Sequence, residues 1–399
     1  MKDMKKDYIL FVTLLIVSSF EFFFRSQLGF LVYCWAGIMW FCSNKGSVNI
    51  YERMYIICMI LLFAFQTILL PHYKVTAFIS NTVSLFGVYF IASIVHKRFV
   101  KIYVNVMYII SIISLTIYLL CLNDTLFQYL YYSIAPYFTS LNVDSAKIEG
   151  GGVNILIYNF QNDYLISSLG LRRNCGPFWE PGMFAVFIIV ALFFHNFLEK
   201  QKGRWINFIL IFALVTTLST GGYVAGLVLL LMKVLRKEDS AFRKVITISV
   251  FSIITYYVYD LEFMEEKIAF QMDNVTIGND YSRFSAFLTQ IKMIGSSPFL
   301  GGEPLENYLD GVSTTLASGT LLPFVVLGIP MGFFYFISLF KSCLNLASYK
   351  NKSGLVGICL AIIVIVLSFS QTILLSPMTY LLLFVGLINK NNRYNYETI

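Results

Sequence analysis

The sequence predicts an all-α integral membrane protein, a polytopic bundle of about twelve transmembrane helices with two long outer loops. Three observations predict it. The 399 residues are 58% hydrophobic and only 13% charged, with a mean hydropathy of +0.73, which is too little charge to cover a soluble domain. Apolar runs approaching about twenty residues, the length that crosses a bilayer, recur along the chain. The basic residues gather on alternate connections between those runs, as the positive-inside rule requires.

The N-terminal stretch MKDMKKDYILFVTLLIVSSF has the basic start and apolar core of a signal peptide. No small-x-small cleavage site follows and further spans do, so a retained first helix is expected. The remaining apolar runs complete a set of twelve: 8–24, 27–43, 54–71, 75–95, 99–122, 182–198, 205–219, 222–235, 244–260, 316–340, 354–369 and 372–389. Several are short, so their ends are expected to extend into the loops. With the N-terminus inside and sides alternating, 21 of the 29 Lys and Arg fall on inner segments. The outer side keeps Arg25, Lys74, Lys147, Arg172, Arg173, Lys267, Arg283 and Lys292. Both termini are therefore expected inside, and the net charge of +7 is a topology signal rather than a nucleic-acid surface.

Two connections, 123–181 and 261–315, are long and fall outside, and six of the eight outer cations lie in them. Long connections in compact proteins usually carry function. The spans hold almost no ionisable residue, Glu21 being the clearest, and no internal repeat is visible. A flippase or other transporter, the rival class, usually keeps charge at mid-membrane and internal pseudo-symmetry. The expectation is one transmembrane domain over 1–399 whose polar chemistry sits at its outer face. Six cysteines lie in or at the ends of apolar runs, where the thiol acts as a small hydrophobe; Cys175 stands apart in a loop. With no CxxC pair, neither a metal site nor a disulfide framework is expected.

The stretch RRNCGPFWEPG, Arg172 to Gly182, precedes an apolar run. Pro181 suits the first turn of a helix and Glu180 the positive end of its dipole. Neither explains two adjacent arginines on the side that topology keeps poor in cations. A guanidinium presents a planar fork that binds phosphate oxygens bidentately and keeps its proton, and backbone N–H groups at a helix start point the same way. An anion site follows, with Arg172 and Arg173 as its candidates. A second stretch, YSRFSAFLTQIKMIGSSPFLGG, runs from Tyr281 to Gly302 and places Phe284, Phe287, Leu288, Ile291 and Ile294 on one helical face. That is the pattern of a helix lying in the membrane interface, with Arg283 at its start. A third, TLSTGGYVAG (Thr217 to Gly226), is rich in the small residues that let membrane helices approach closely.

These three stretches resemble the O-antigen polymerase and ligase superfamily of bacterial membranes. RNCGPFWEPG is similar to its R-x-x-G-x-F-x-E-P-G signature, with Arg173, Gly176, Phe178, Glu180, Pro181 and Gly182 in the matching positions and Arg172 an additional cation. The second stretch resembles its outer loop, an arginine (Arg283), an amphipathic helix and then Pro-x-x-Gly (Pro298, Gly301). In the third, where many members carry an arginine beside the serine, this chain has Thr220.

The resemblance implies a glycosyltransferase of the inner membrane with a periplasmic site, working by inverting, metal-independent transfer with no cofactor. Donor and acceptor would be glycans on undecaprenyl diphosphate, the bilayer would surround the chain, and a chain-length regulator protein is a further candidate partner. Arg173 and Arg283 would grip the diphosphate as its charge grows, with Arg172 in support. Glu180 would act as base or hold an arginine, and Glu303, Glu306 and Asp310 of GGEPLENYLD are further carboxylates for the sugar site. Phe178, Trp179 and Tyr281 would stack on sugar rings. The outer loops contain no DxD pair. Within the superfamily, ligases characteristically carry a histidine in the second long loop; the histidines here are His72, His96 and His195, so the polymerase reading is preferred over the ligase.

The topology is testable. A reporter active only outside should work when fused at Ser145 and Asn274, and one active only inside at Lys237. An outside signal from the Lys237 fusion would overturn the orientation and the arginine argument together.

Overall fold

A computed structural model of the protein describes residues 2–20, 28–42, 50–139, 153–160, 164–166, 171–199, 203–234, 249, 283–302 and 318–394. Among the described residues the architecture is all-α apart from one short strand pair, and it is that of a membrane protein. The helices are α1 (Lys2–Ser19), α2 (Leu28–Cys42), α3 (Ile50–Leu69), α4 (Val75–Val95), α5 (Phe99–Leu120), α6 (Asp124–Gln128), α7 (Pro136–Thr139), α8 (Pro181–Phe193), α9 (Arg204–Thr216), α10 (Thr220–Val234), α11 (Arg283–Ser296), α12 (Leu322–Tyr349), α13 (Gly354–Ser370) and α14 (Pro377–Tyr394). π-helical turns Tyr129–Ile134 and Phe194–Leu198 follow α6 and α8, and β1 (Tyr164–Ile166) pairs antiparallel with β2 (Leu171–Arg172). Eleven of the twelve apolar stretches fall at least in part on helices; of the stretch 244–260 only residue 249 is described. Among the described residues five helical segments are long and apolar enough to cross a membrane by length and composition: Ile50–Leu69, Val75–Val95, Phe99–Leu120, Pro181–Leu198 and Leu322–Tyr349.

The chain packs as two compact units, one of Met1–Ser18, Ser26–Ile102 and Gln271–Ile399, the other of Ser19–Arg25 and Tyr103–Phe270. The first unit is organised by α12 and α14, which pack on each other; α13 and α11 pack on α12, and α4 on α14 and α2. Its centre is aromatic. Tyr55 stacks on Phe334 at 5.5 Å and meets Phe384 edge-on at 5.7 Å, and Tyr89 meets the same Phe384 at 5.4 Å. Such pairs add modestly to what their burial contributes.

Helix α12 is broken. Gly328 stands at φ +74°, ψ 168°, and Pro330, two residues on, has no N–H to give to Val326. In a membrane the freed backbone groups need partners from the protein, and the segment after α11 supplies them. Gly302 N donates to Val325 O at 2.8 Å, and Ile329 N donates to Pro298 O at 2.7 Å. The Val326 carbonyl left over by Pro330 accepts from Gln66 Nε2 of α3 at 2.7 Å, and the same amide nitrogen donates to Leu300 O at 2.6 Å. Gln66 is wholly buried.

This explains the glycine of the Pro-x-x-Gly stretch. Gly301 adopts φ +62°, and a Cβ there would stand 2.5 Å from Gly328 N and 2.6 Å from Val325 O, against backbone that has no room to give. Gly301→Ala should lower the melting temperature in detergent, by strain of about 1–3 kcal/mol. Gly295→Ala, on α11 with nothing within 4 Å of the added Cβ, should be neutral or stabilising by up to about 1 kcal/mol. Equal effects of the two substitutions would show that the docked segment is not held as described.

Candidate functional site

The site that the structure describes most fully lies in the second unit, where α8 packs against α9 and α10. Helix α8 is apolar on every side and all its residues except Val190 are buried, so it serves as the core rod of this unit. The connection before it has a core of its own: Tyr118, Cys121, Phe127, Tyr131, Ala135, Val153, Tyr158 and Phe160 pack together. Asn123 starts α6 by accepting the Leu126 N–H on its side-chain oxygen at 3.1 Å, a standard N-cap. That cap sets Asp124 and Phe127 on the segment that meets Arg172.

The two arginines have separate surroundings. Arg172, on β2, is buried. It donates to Asp124 Oδ1 at 2.9 Å and lies over the Phe127 ring, 3.7 Å from its centroid, a cation–π geometry. Its carbonyl accepts from Tyr118 Oη at 3.1 Å. Arg173 is half-buried and donates through Nε to Thr217 O at 3.3 Å. Burial lowers its pKa from the usual arginine value, while the charges of Cys175, Glu180 and Tyr223 pull it back up; a guanidinium in this range stays charged. Both arginines line one small open pocket, whose free space of about 10 Å³ is room for about one water, with Tyr118, Cys121, Leu122, Phe127 and Tyr158 as the remaining wall. Burial first, then the neighbouring Cys175, Cys121 and Tyr118, raise Tyr158 well above the ordinary phenol value, so it lines the pocket as a neutral phenol.

Thr217 O is available because α9 ends there. Leu218 turns the chain with φ +47°, and α10 restarts behind Ser219, whose Oγ accepts from Gly222 N at 3.3 Å. A helix C-terminus carries the negative end of the dipole, so the Arg173 cation is held against carbonyls of favourable sign. The TLSTGG stretch thus contributes a backbone oxygen to Arg173. Its glycine also packs closely, since a Cβ on Gly222 would stand 2.7 Å from that of Ala185 on α8.

Beyond the arginines, Gly176 turns at φ +55°, and a Cβ there would meet the Phe184 ring at 3.2 Å. Phe178 is fully buried: it stacks on Phe187 at 4.7 Å and Phe184 at 5.5 Å, and meets Phe20 edge-on at 5.6 Å. The ring that the resemblance assigns to the sugar site is packed against these three aromatics. Trp179 is half-buried and donates through Nε1 to Glu180 Oε1 at 3.3 Å, and Asn159 Nδ2 donates to the carbonyls of Phe178 and Trp179 at 3.1 and 3.0 Å. Glu180 is the residue that precedes Pro181, extended at φ −151°, with α8 beginning directly after it.

In the first unit, Arg283 is half-buried at the first residue of α11. The helix has the two faces that its periodicity indicates. Ser285, Ala286, Thr289, Gln290 and Met293 are buried, while Phe284, Leu288 and Ile291 are 45%, 37% and 49% exposed. A helix that buries polar residues and exposes apolar ones is the reverse of a water-facing helix and matches one in contact with lipid. The buried face works: Gln290 Nε2 donates to Ser318 O at 2.5 Å, and its Oε1 accepts from Leu321 N at 3.2 Å at the start of α12. His72, in the turn between α3 and α4, meets Gly302 O through Nε2 at 2.6 Å. Tyr281, Glu303, Glu306 and Asp310 lie outside the described residues.

Sequence reading missed Asn174, Gln66 and Gln290. Each is a wholly buried amide with partners far away in sequence, although Asn174 also accepts from the nearby Gly176 N–H.

No family model matches the sequence, and no solved structure matches it. The chain is similar to the ComP-specific O-oligosaccharyltransferase of Acinetobacter baylyi, 25% identical over an alignment of 273 positions that covers 61% of this chain and 50% of that protein. The chain therefore spans about half the length of the curated relative it matches.

Phe178 and Trp179 separate packing from surface. Phe178→Ala should cut yield and melting temperature, since a buried Phe→Ala change costs about 3–5 kcal/mol. Trp179→Ala, with its ring partly open, should leave yield near wild type. Wild-type stability in Phe178→Ala would contradict the packing described.

Proposed function

We propose that the chain is a glycosyltransferase of a bacterial inner membrane that joins oligosaccharide units carried on undecaprenyl diphosphate at the periplasmic face. The whole chain, 1–399, acts as one transmembrane domain of about twelve spans with both ends in the cytoplasm. The observation that carries the reading is Arg173: a guanidinium held at a helix end and lining a small aromatic-walled pocket. The motif resemblance and the similarity to an oligosaccharyltransferase support it.

In the proposed step an acceptor hydroxyl oxygen bonds to the anomeric carbon of the donor while the bond from that carbon to the diphosphate breaks. Configuration inverts, the hydroxyl proton passes to a base, and the diphosphate leaves with the electron pair. Charge develops on the leaving diphosphate, so a fixed cation aimed there stabilises the transition state more than the ground state. Arg173 has that role, with the countercharge supplied by arginine rather than a metal. Arg283 stands in the other unit and enters the proposal as a second cation for the same class of ligand. Arg172 supports the wall of the pocket. Glu180, close enough for its charge to act on Arg173, is the first choice of base or arginine holder, with Glu303, Glu306 and Asp310 after it. Trp179 and Tyr281 are the aromatics proposed to face sugar.

A polymerase, which adds repeat units to lipid-linked repeat units, is the first reading. The second, ligase-type transfer to a different acceptor, is favoured by the name of the similar protein, an O-oligosaccharyltransferase. The surface polysaccharide of a deletion strain separates them: loss of a polymerase leaves single repeat units on the core, and loss of a ligase leaves none.

Arg173→Ala should nearly abolish product at normal protein abundance, because losing one fixed donor to developing charge costs about 100- to 1000-fold in rate. Arg173→Lys keeps the charge without the fork and should recover only part. Lys147→Ala, an outer cation beyond the motifs, should be near neutral. Wild-type product from Arg173→Ala at equal abundance would end the anion-site reading.

A further inference from the structure

Asn174 follows the two arginines and has no exposed surface. Its side chain spans two helices. Oδ1 accepts from Ser114 Oγ of α5 at 2.6 Å and from the backbone N–H of Gly176 at 3.0 Å. Nδ2 donates to Thr216 Oγ1 at 2.9 Å, and the Asn174 backbone N–H donates to Thr216 O at 3.0 Å. Because the Gly176 N–H can only donate, the carbonyl end of the amide must face it, which fixes the orientation of the side chain. Thr216 Oγ1 in turn donates to Ala213 O at 2.8 Å, so the hydroxyl is oriented as the acceptor that Asn174 needs. The neighbouring carbonyl, Thr217 O, receives Arg173 Nε.

These contacts form one latch. The carbonyls that α9 releases at its end accept from two consecutive residues, Arg173 through its side chain and Asn174 through its backbone, and the amide of Asn174 ties the latch to α5. A guanidinium on a chain with several rotatable bonds loses its aim unless the backbone that carries it is fixed, and misplacement by about 1 Å can cost on the order of 100-fold in rate. We infer that Asn174, through Thr216 and Ser114, is the positioning residue that sets the direction of Arg173. This rests on the reading of Arg173 as the diphosphate contact. It assigns to a position between the matched arginine and glycine a role that is second to the chemistry.

The test uses full-length protein in the deletion strain, with the initial rate of surface-polysaccharide formation normalised to protein abundance. Thr216→Val keeps shape and removes the hydroxyl that Asn174 donates to; the rate should fall about tenfold, the effect of one hydrogen bond felt in the transition state. Thr216→Ser restores the hydroxyl and should recover most of the rate. Asn174→Ala should fall further, with lower yield as well, so the threonine pair decides where that variant folds poorly. The double variant Arg173→Ala with Thr216→Val supplies a readout that a purely structural role would not move. If Thr216 acts through Arg173, the double variant is no slower than Arg173→Ala alone. If it acts independently of Arg173, the losses multiply, and the inference is overturned. A normal rate in Thr216→Val alone also overturns it. An Arg173→Ala variant of normal rate overturns instead the reading on which the inference rests.

Discussion

The constraint on which the rest of the structure depends is the orphan carbonyl. Where a helix ends or breaks inside a membrane protein, its last C=O groups lose their partners, and hydrocarbon offers none. In the second unit, α9 ends at Thr216 and its carbonyls are taken by Arg173 and Asn174. In the first, Gly328 and Pro330 break α12, and the freed groups are taken by Pro298, Gly302 and Gln66. Both motif-bearing segments are thus held by the same device. The helix does not merely lead up to each loop; its unfinished hydrogen bonds are what the loop is folded onto.

This device accounts for residues that otherwise look arbitrary. Gly301 is required because two backbones meet there, and a side chain would enter the broken turn. Gly176 is required because the chain must reverse at positive φ to bring Phe178 down onto Phe184 and Phe187. The arginine pair divides along the same line. Arg172 is committed to Asp124 and Phe127 and stiffens the wall; Asp124 is itself 63% exposed, so the ion pair adds little stability beyond holding that geometry. Arg173 is tied to backbone by one nitrogen, which sets its direction without neutralising it.

Much of this was legible in the sequence. Apolar runs gave the helices, Pro181 gave the start of α8, and the spacing of Phe284, Leu288 and Ile291 gave the apolar face of α11. The amphipathic pattern also indicated that this face meets lipid, although the work done by the opposite face, through Gln290, could not be read from it. Pro330 was a visible signal of a helix break that the apolar run concealed. The packing of Phe178 was only partly legible: Phe184 and Phe187 follow it on α8, whereas Phe20 is distant in sequence. Gln66 and Gln290 left no local trace, since a buried amide is justified only by partners that the fold brings to it.

Amide hydrogen exchange of the full-length protein in lipid nanodiscs is the most direct measure of the central claim, followed on peptides spanning 171–178 and 297–302. Bonding of these loop amides to helix-end carbonyls requires Asn174 and Gly302 to exchange as slowly as the interior amides of α9 and α12. Exchange at the rate of open loop would show that the freed carbonyls are satisfied in some other way, and the account of how Arg173 is aimed would fall with it.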